Sequence, residues 1–150
     1  SLGWQYIGYD TNENLKRGYK KMCERLNIKD KVKMNYYSFL EEEDGNRTFN
    51  IVITSPPYLN IEKYNGMSLF ENDEHYYKEF LIPLIDKLRR NTDGMVLINI
   101  SEYMYQDYLK HGGRACQTSE PLPQQMGGKK NKEMMYVFEG DIDYWSVRSA

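Results

Sequence analysis

Phe49-Asn50-Ile51-Val52-Ile53-Thr54-Ser55-Pro56-Pro57-Tyr58 is the stretch on which the fold turns. Ile51, Val52 and Ile53 are consecutive and β-branched, the pattern of a parallel strand covered on both faces. Two prolines then end it. Neither has a backbone N–H, so neither can extend a ladder. Ser55 and Pro56 each precede a proline, and both are held in extended conformations. The reading is a stiff, non-helical projection at the carboxyl end of a strand. In open α/β sheets ligands bind at that edge.

The projection offers a defined set of contacts. The Ser55 hydroxyl can accept as well as donate, and the Pro56 carbonyl is a second acceptor. Tyr58 presents a flat ring. Together they suit an amino group on a planar heterocycle, with acceptors on the amino protons and the ring stacked on the base. Ser55-Pro56-Pro57-Tyr58 resembles the Asp/Asn/Ser-Pro-Pro-Tyr/Phe/Trp signature of the S-adenosylmethionine-dependent amino-methyltransferases. These enzymes methylate exocyclic amines, chiefly of adenine or cytosine in DNA. The resemblance implies catalytic roles for Ser55, Pro56, Pro57 and Tyr58. The plainer alternative is a Pro-Pro turn after a core strand.

The chain has 150 residues, 40% of them apolar and 28% charged, which fits one globular domain. No apolar run reaches the roughly 20 residues of a membrane helix, and no secretory signal pattern is present. Cys23 and Cys116 lie far apart without metal-ligand spacing, so the expectation is a reducing, cytoplasmic setting, with no metal. The net charge of −2 gives the domain no general attraction for nucleic acid. The fourteen tyrosines read as half-buried packing residues with wet hydroxyls.

Upstream, Trp4 to Tyr9 reads as a strand ending at Asp10. A helix follows, with Asp10 or Thr11 as its cap and Leu15, Tyr19, Met22 and Leu26 as one apolar stripe. An acid ending a strand before a helix can take both ribose hydroxyls of a nucleotide, because a carboxylate only accepts. In the resembled enzymes this position binds the cofactor's ribose, and Asp10 matches it. The alternative for Asp10 is a simple helix cap. Val32 to Tyr37 is the next strand. Where the family often has an acid beside the cofactor's adenine, this chain has Tyr36-Tyr37. A tyrosine can stack on adenine but cannot accept from its amino group as a carboxylate does. The resemblance thus implies S-adenosylmethionine as cofactor, with Asp10, Thr11, Tyr37, Ser38 and Thr54 as its contacts.

Downstream, residues 59–71 read as an irregular loop, which the resemblance implies lies over the active site. A helix beginning near Asn72 or Asp73 continues through Tyr77, Leu81, Leu84 and Leu88, with Pro83 expected to kink it. Asn91 to Gly94 reads as a turn and Met95 to Ile100 as a strand. Glu102 to Lys110 reads as a short helix, Arg114 to Ser119 as a strand, and Glu133 to Glu139 as the last strand. Between them, Lys129, Lys130 and Lys132 lie in a loop, either an ordinary hairpin or a phosphate contact. The sum is an α/β chain: a Rossmann-like methyltransferase sheet, mostly parallel, with a C-terminal antiparallel hairpin. It reads as one partial catalytic domain, from the second strand of that sheet onward, with residues 141–150 an unplaced tail.

No G-x-G follows any strand here, although the resembled enzymes carry a Gly-rich turn after their first strand. The expectation is therefore a sheet incomplete at its N-terminus. In the resembled fold the absent strand lies between the strands ending at Asp10 and Thr54. Two unpaired edges would face that slot, which predicts self-association and loss of catalysis in these 150 residues. The functional expectation is methylation of an amino group of a base flipped out of double-stranded DNA, with no covalent intermediate. Ser55 leans toward cytosine N4 over adenine N6. The alternatives are a non-catalytic remnant that binds a partner or itself, and a methyltransferase for RNA bases or protein glutamine. Ring-carbon methylation would need a cysteine nucleophile, and neither cysteine is placed for it.

Overall fold

The computed structural model describes residues 3–57, 70, 72–123 and 133–142. It divides into two compact units, one formed by the described residues up to Glu42 and one by those from Glu43 onward.

The first unit is a β-α-β element. Strands β1 (Tyr6–Tyr9) and β2 (Val32–Asn35) pair in parallel, with Tyr6 opposite Val32 and Tyr9 opposite Asn35. Helix α1 (Lys16–Arg25) connects them, entered through a 3₁₀ turn at Glu13–Leu15. The cap is neither Asp10 nor Thr11 but Asn12, whose side chain accepts from Asn14 N–H. Asp10 acts one step earlier, taking the Asn12 N–H at 2.9 Å, so the chain turns before the helix begins. At the far end Asn27 takes the left-handed conformation, φ 54°. Its N–H reaches Glu24 O and that of Ile28 reaches Cys23 O, which satisfies the last carbonyls of the helix. The expected apolar stripe is real in sequence but not in burial. Leu15, Met22 and Leu26 are exposed, and Cys23 is the buried residue of α1.

The second unit is a four-stranded sheet of order β3-β4-β6-β5. Strand β3 (Phe49–Thr54) pairs in parallel with β4 (Thr92–Ser101). Strands β6 (Glu133–Glu139) and β5 (Thr118–Pro121) add the antiparallel hairpin. β4 starts three residues before the expected Met95, because Gly94 does not turn. Its missing side chain lets the Asn50 carbonyl approach at the register shift between Phe49 and Ile51. β5 lies later than expected and ends on Pro121, which an edge strand tolerates.

Helices α2 (Asp73–Tyr76), α3 (Ile82–Arg90) and α4 (Glu102–Lys110) supply the cover of this sheet. Between α2 and α3 the chain winds as a π-helix, Tyr77–Leu81. Pro83 follows at once. A proline lacks the N–H of an α-helical ladder, and the wider π turn takes up the expected kink. Leu81, Ile85 and Leu88 are buried, as are Val96, Ile98 and Ile100 of β4 and Tyr136 and Phe138 of β6. Tyr105 stacks on Tyr136 at 4.0 Å between centroids.

The opposite face of the same sheet is exposed along β3 and at the start of β4 among the described residues. Ile51 pairs with Met95 and Ile53 with Leu97 on that face. Ile51 is 48% exposed, Ile53 68% and Met95 44%. The expected strand covered on both faces is therefore covered on one. The reason is supply: the described helices of this unit cover the Val96–Ile98–Ile100 side.

Candidate functional site

In the second unit the site grows from the end of β3. Thr54, half-buried, is its last residue and pairs with Ile98. Ser55 to Pro57 then run on without helix or strand, as the two prolines dictate. Pro56 is buried and Ser55 is exposed. The projection is tied down from α2: Tyr76, fully buried, donates its hydroxyl to the Pro57 carbonyl at 2.6 Å. That carbonyl is thereby occupied.

The Ser55 hydroxyl donates to Asn99 Oδ1 at 3.1 Å. Because Thr54 pairs with Ile98, Asn99 is the next residue along β4 and stands beside Ser55. Asn99 in turn donates from Nδ2 to Met134 O at 3.0 Å and to Glu133 Oε2 at 3.3 Å. Tyr58, the loop of residues 59–69, Glu71 and the lysine loop lie outside the described residues.

Tyr76→Phe tests the tie to α2. It leaves the Pro57 carbonyl without its donor and is expected to cost about 1–3 kcal/mol. Urea denaturation measures this, and an unchanged midpoint would mean the hydroxyl does not hold the loop.

In the first unit, Asp10 stands at the end of β1. Its Oδ1 accepts from Asn12 N–H and its Oδ2 from the Tyr19 hydroxyl at 2.8 Å. The bond to Asp10 pushes the Tyr19 phenol up to about 12. A pKa raised on folding contributes stability that is whole below about 10, the ordinary tyrosine value, and is lost as pH rises through the folded value. The bond is thus intact at neutral pH. Among the described residues each carboxylate oxygen carries one partner, and each can accept a second. Thr11 follows in a bend, half-buried.

Beyond β2, Tyr37 is 36% exposed. Its hydroxyl donates to Glu42 Oε2 at 2.7 Å, and the Tyr9 hydroxyl reaches the same oxygen at 3.2 Å. Tyr9 also meets the Tyr37 ring edge-on, at 5.8 Å and 75°. Ser38 is occupied locally: its side chain accepts from Leu40 N–H and caps the 3₁₀ turn Phe39–Glu41. Asn99, Tyr76, Tyr19 and Glu42 were not among the residues expected from sequence. Ser55 and Asn99 are 44 positions apart and Tyr76 and Pro57 are 19 apart, so no local spacing marks either pair.

Among the described residues, no group of His, Cys, Asp and Glu could hold a metal ion. No described helix is long and apolar enough to cross a membrane.

No family model and no curated protein matches this sequence. Solved structures do. SMU.472, described as a methyltransferase and complexed with SAH, superposes with a TM-score of 0.62 at 16% identity, covering 92% of this chain and 32% of its own. A protein described as an rRNA-methylase from Clostridium thermocellum gives a TM-score of 0.58 at 11% identity, covering 89% of this chain and 74% of that one. The METTL16 methyltransferase domain gives 0.58 at 14% identity, covering 91% and 51%. The chain spans about a third of the length of SMU.472. At these identities the shared property is the fold, which is the Rossmann-like α/β fold of methyltransferases.

Proposed function

We propose that this protein belongs to an S-adenosylmethionine-dependent methyltransferase that acts on an exocyclic amino group of a DNA base. The observation that carries the reading is Ser55. It is an exposed hydroxyl at the carboxyl end of a parallel strand, held on a Pro-Pro projection, in a fold shared with methyltransferases. The first unit offers a fit for the cofactor: Asp10 keeps acceptor capacity for ribose hydroxyls, and Tyr37 offers a partly exposed ring to adenine. Thr11, Ser38 and Thr54 are further candidates for that contact.

When bound, S-adenosylmethionine supplies an electrophilic methyl group. The protein's part is positioning and hydrogen bonding. Ser55 and the Pro56 carbonyl accept from the amino protons and keep the nitrogen lone pair available. Tyr58 stacks on the flipped base. Cytosine N4 is the favoured target over adenine N6, and the setting is intracellular. Incubation with methyl-labelled S-adenosylmethionine and double-stranded DNA tests the reading. Label in N4-methylcytosine or N6-methyladenine supports it; label in neither, with the cofactor bound, overturns it.

Asp10→Ala is expected to weaken cofactor binding by about tenfold or more, the loss of a charge-assisted bond, without changing the base methylated. Calorimetry on Asp10→Ala beside Tyr19→Phe separates the roles. Tyr19→Phe keeps the carboxylate and is expected to bind normally. Equal affinity in all three proteins would leave Asp10 as the anchor of a turn.

Two other readings each have an observation. The likeness to a protein described as an rRNA-methylase keeps an RNA base as target. The bare apolar face of β3 and β4 favours self-association of these 150 residues without catalysis. Light scattering on the chain separates the last from the others: a monomer that binds the cofactor would end it.

A further inference from the structure

We infer that Asn99 is a positioning residue that makes Ser55 a hydrogen-bond acceptor toward substrate, so that the site selects a base with an amino group over one with an oxo group. The inference rests on the proposed role of Ser55 and adds the reason a serine can fill it. A serine hydroxyl has one proton and two lone pairs. Left alone it rotates and can donate or accept, so it welcomes an amino or an oxo group alike. Here the proton is committed, because Ser55 Oγ donates to Asn99 Oδ1 at 3.1 Å. What the hydroxyl can offer a ligand is then its lone pairs.

The Asn99 amide cannot reverse this. Its Nδ2 faces two acceptors, Met134 O at 3.0 Å and Glu133 Oε2 at 3.3 Å. Turning the amide over would set Oδ1 against a carbonyl and a carboxylate with no proton between them, and aim Nδ2 at Ser55. Both acceptors sit at the start of β6, the strand paired with β4, so the orientation is built into the sheet. A carboxylate or a carboxamide oxygen at position 55 would accept without such help. A serine needs Asn99.

The test is a mutant cycle on the full chain, read by methyl transfer to DNA. A partner that acts through Ser55 has nothing left to do once the hydroxyl is gone. Asn99→Leu is expected to slow transfer about tenfold in wild type and not at all beside Ser55→Ala. Asn99→Asp still accepts from Ser55 and is expected to lose markedly less than Asn99→Leu. A purely structural role predicts the reverse of that order, since both variants lose the bonds from Nδ2 and only Asn99→Asp sets a carboxylate oxygen against Met134 O and Glu133. Thermal melting of each variant accompanies the rates. An additive cycle, or Asn99→Asp as slow as Asn99→Leu, overturns the inference while leaving the proposed function standing.

A binding arm needs no catalysis. Fluorescence anisotropy compares a single-stranded oligodeoxynucleotide with versions carrying deoxyuridine for deoxycytidine, or deoxyinosine for deoxyadenosine. Wild type is expected to favour one amino form about tenfold, and the arm showing it names the base; Asn99→Leu is expected to erase the preference. A wild type that neither transfers methyl groups nor prefers an amino base overturns both this inference and the proposed function.

Discussion

Ser55→Ala is expected to slow methyl transfer by about 10²-fold or more, the usual effect of losing one preorganised hydrogen bond at a reacting group. Cofactor affinity is expected to be unchanged, because the hydroxyl bonds to Asn99, while the contact proposed for ribose is the Asp10 carboxylate. The alanine keeps the backbone restrained by Pro56 and Pro57, so the projection itself should survive. Single-turnover rates with saturating cofactor measure the effect. An unchanged rate would remove Ser55 from the chemistry and return the Pro-Pro motif to a turn after a strand. Tyr58→Ala is expected to lose transfer in the same way, through the stacking role read from its sequence position.

Ile98→Ala and Ile53→Ala form a second pair with very different expected costs. The two side chains lie on opposite faces of one sheet. Ile98 is 0% exposed beneath the helices, and Ile53 is 68% exposed. Truncating a fully buried isoleucine removes packing and leaves a cavity, which costs about 2–5 kcal/mol. Truncating an exposed one is expected to cost below about 0.5 kcal/mol. Urea denaturation of the 150-residue chain compares them. If Ile53→Ala proves as costly as Ile98→Ala, something covers the bare face in solution. Concentration dependence of the midpoint would then identify a second copy as the cover.

Much of this was legible locally. β-Branched runs and prolines set where β3 stops. Glu133–Glu139 is a strand as read, and α4 runs Glu102–Lys110 as read. Asn72 as the start of α2 also follows from local chemistry, its side chain accepting from His75 N–H. These features depend on a residue and its near neighbours, whose φ preferences and capping groups act within a turn. Gly94 shows the limit. Within its own stretch, Asn91-Thr92-Asp93-Gly94 is turn chemistry, yet the glycine lies in β4 because Asn50 approaches from another strand. The same holds for α1, whose stripe has helical spacing while Leu15, Met22 and Leu26 remain exposed.

By itself, the sequence determined the α/β class, most of the elements, and the projection that presents Ser55 at a strand end. Those follow from backbone restraint and hydrophobic period, which are properties of short segments. Tertiary structure alone decided the partners of each site residue. Ser55 meets Asn99, Pro57 meets Tyr76, and Tyr37 shares Glu42 with Tyr9. It alone decided also that one face of β3 is half-buried while the other, among the described residues, is exposed. A hydrogen bond or a covered face is set by which distant segment arrives beside it. The spacing of residues along the chain carries no record of that.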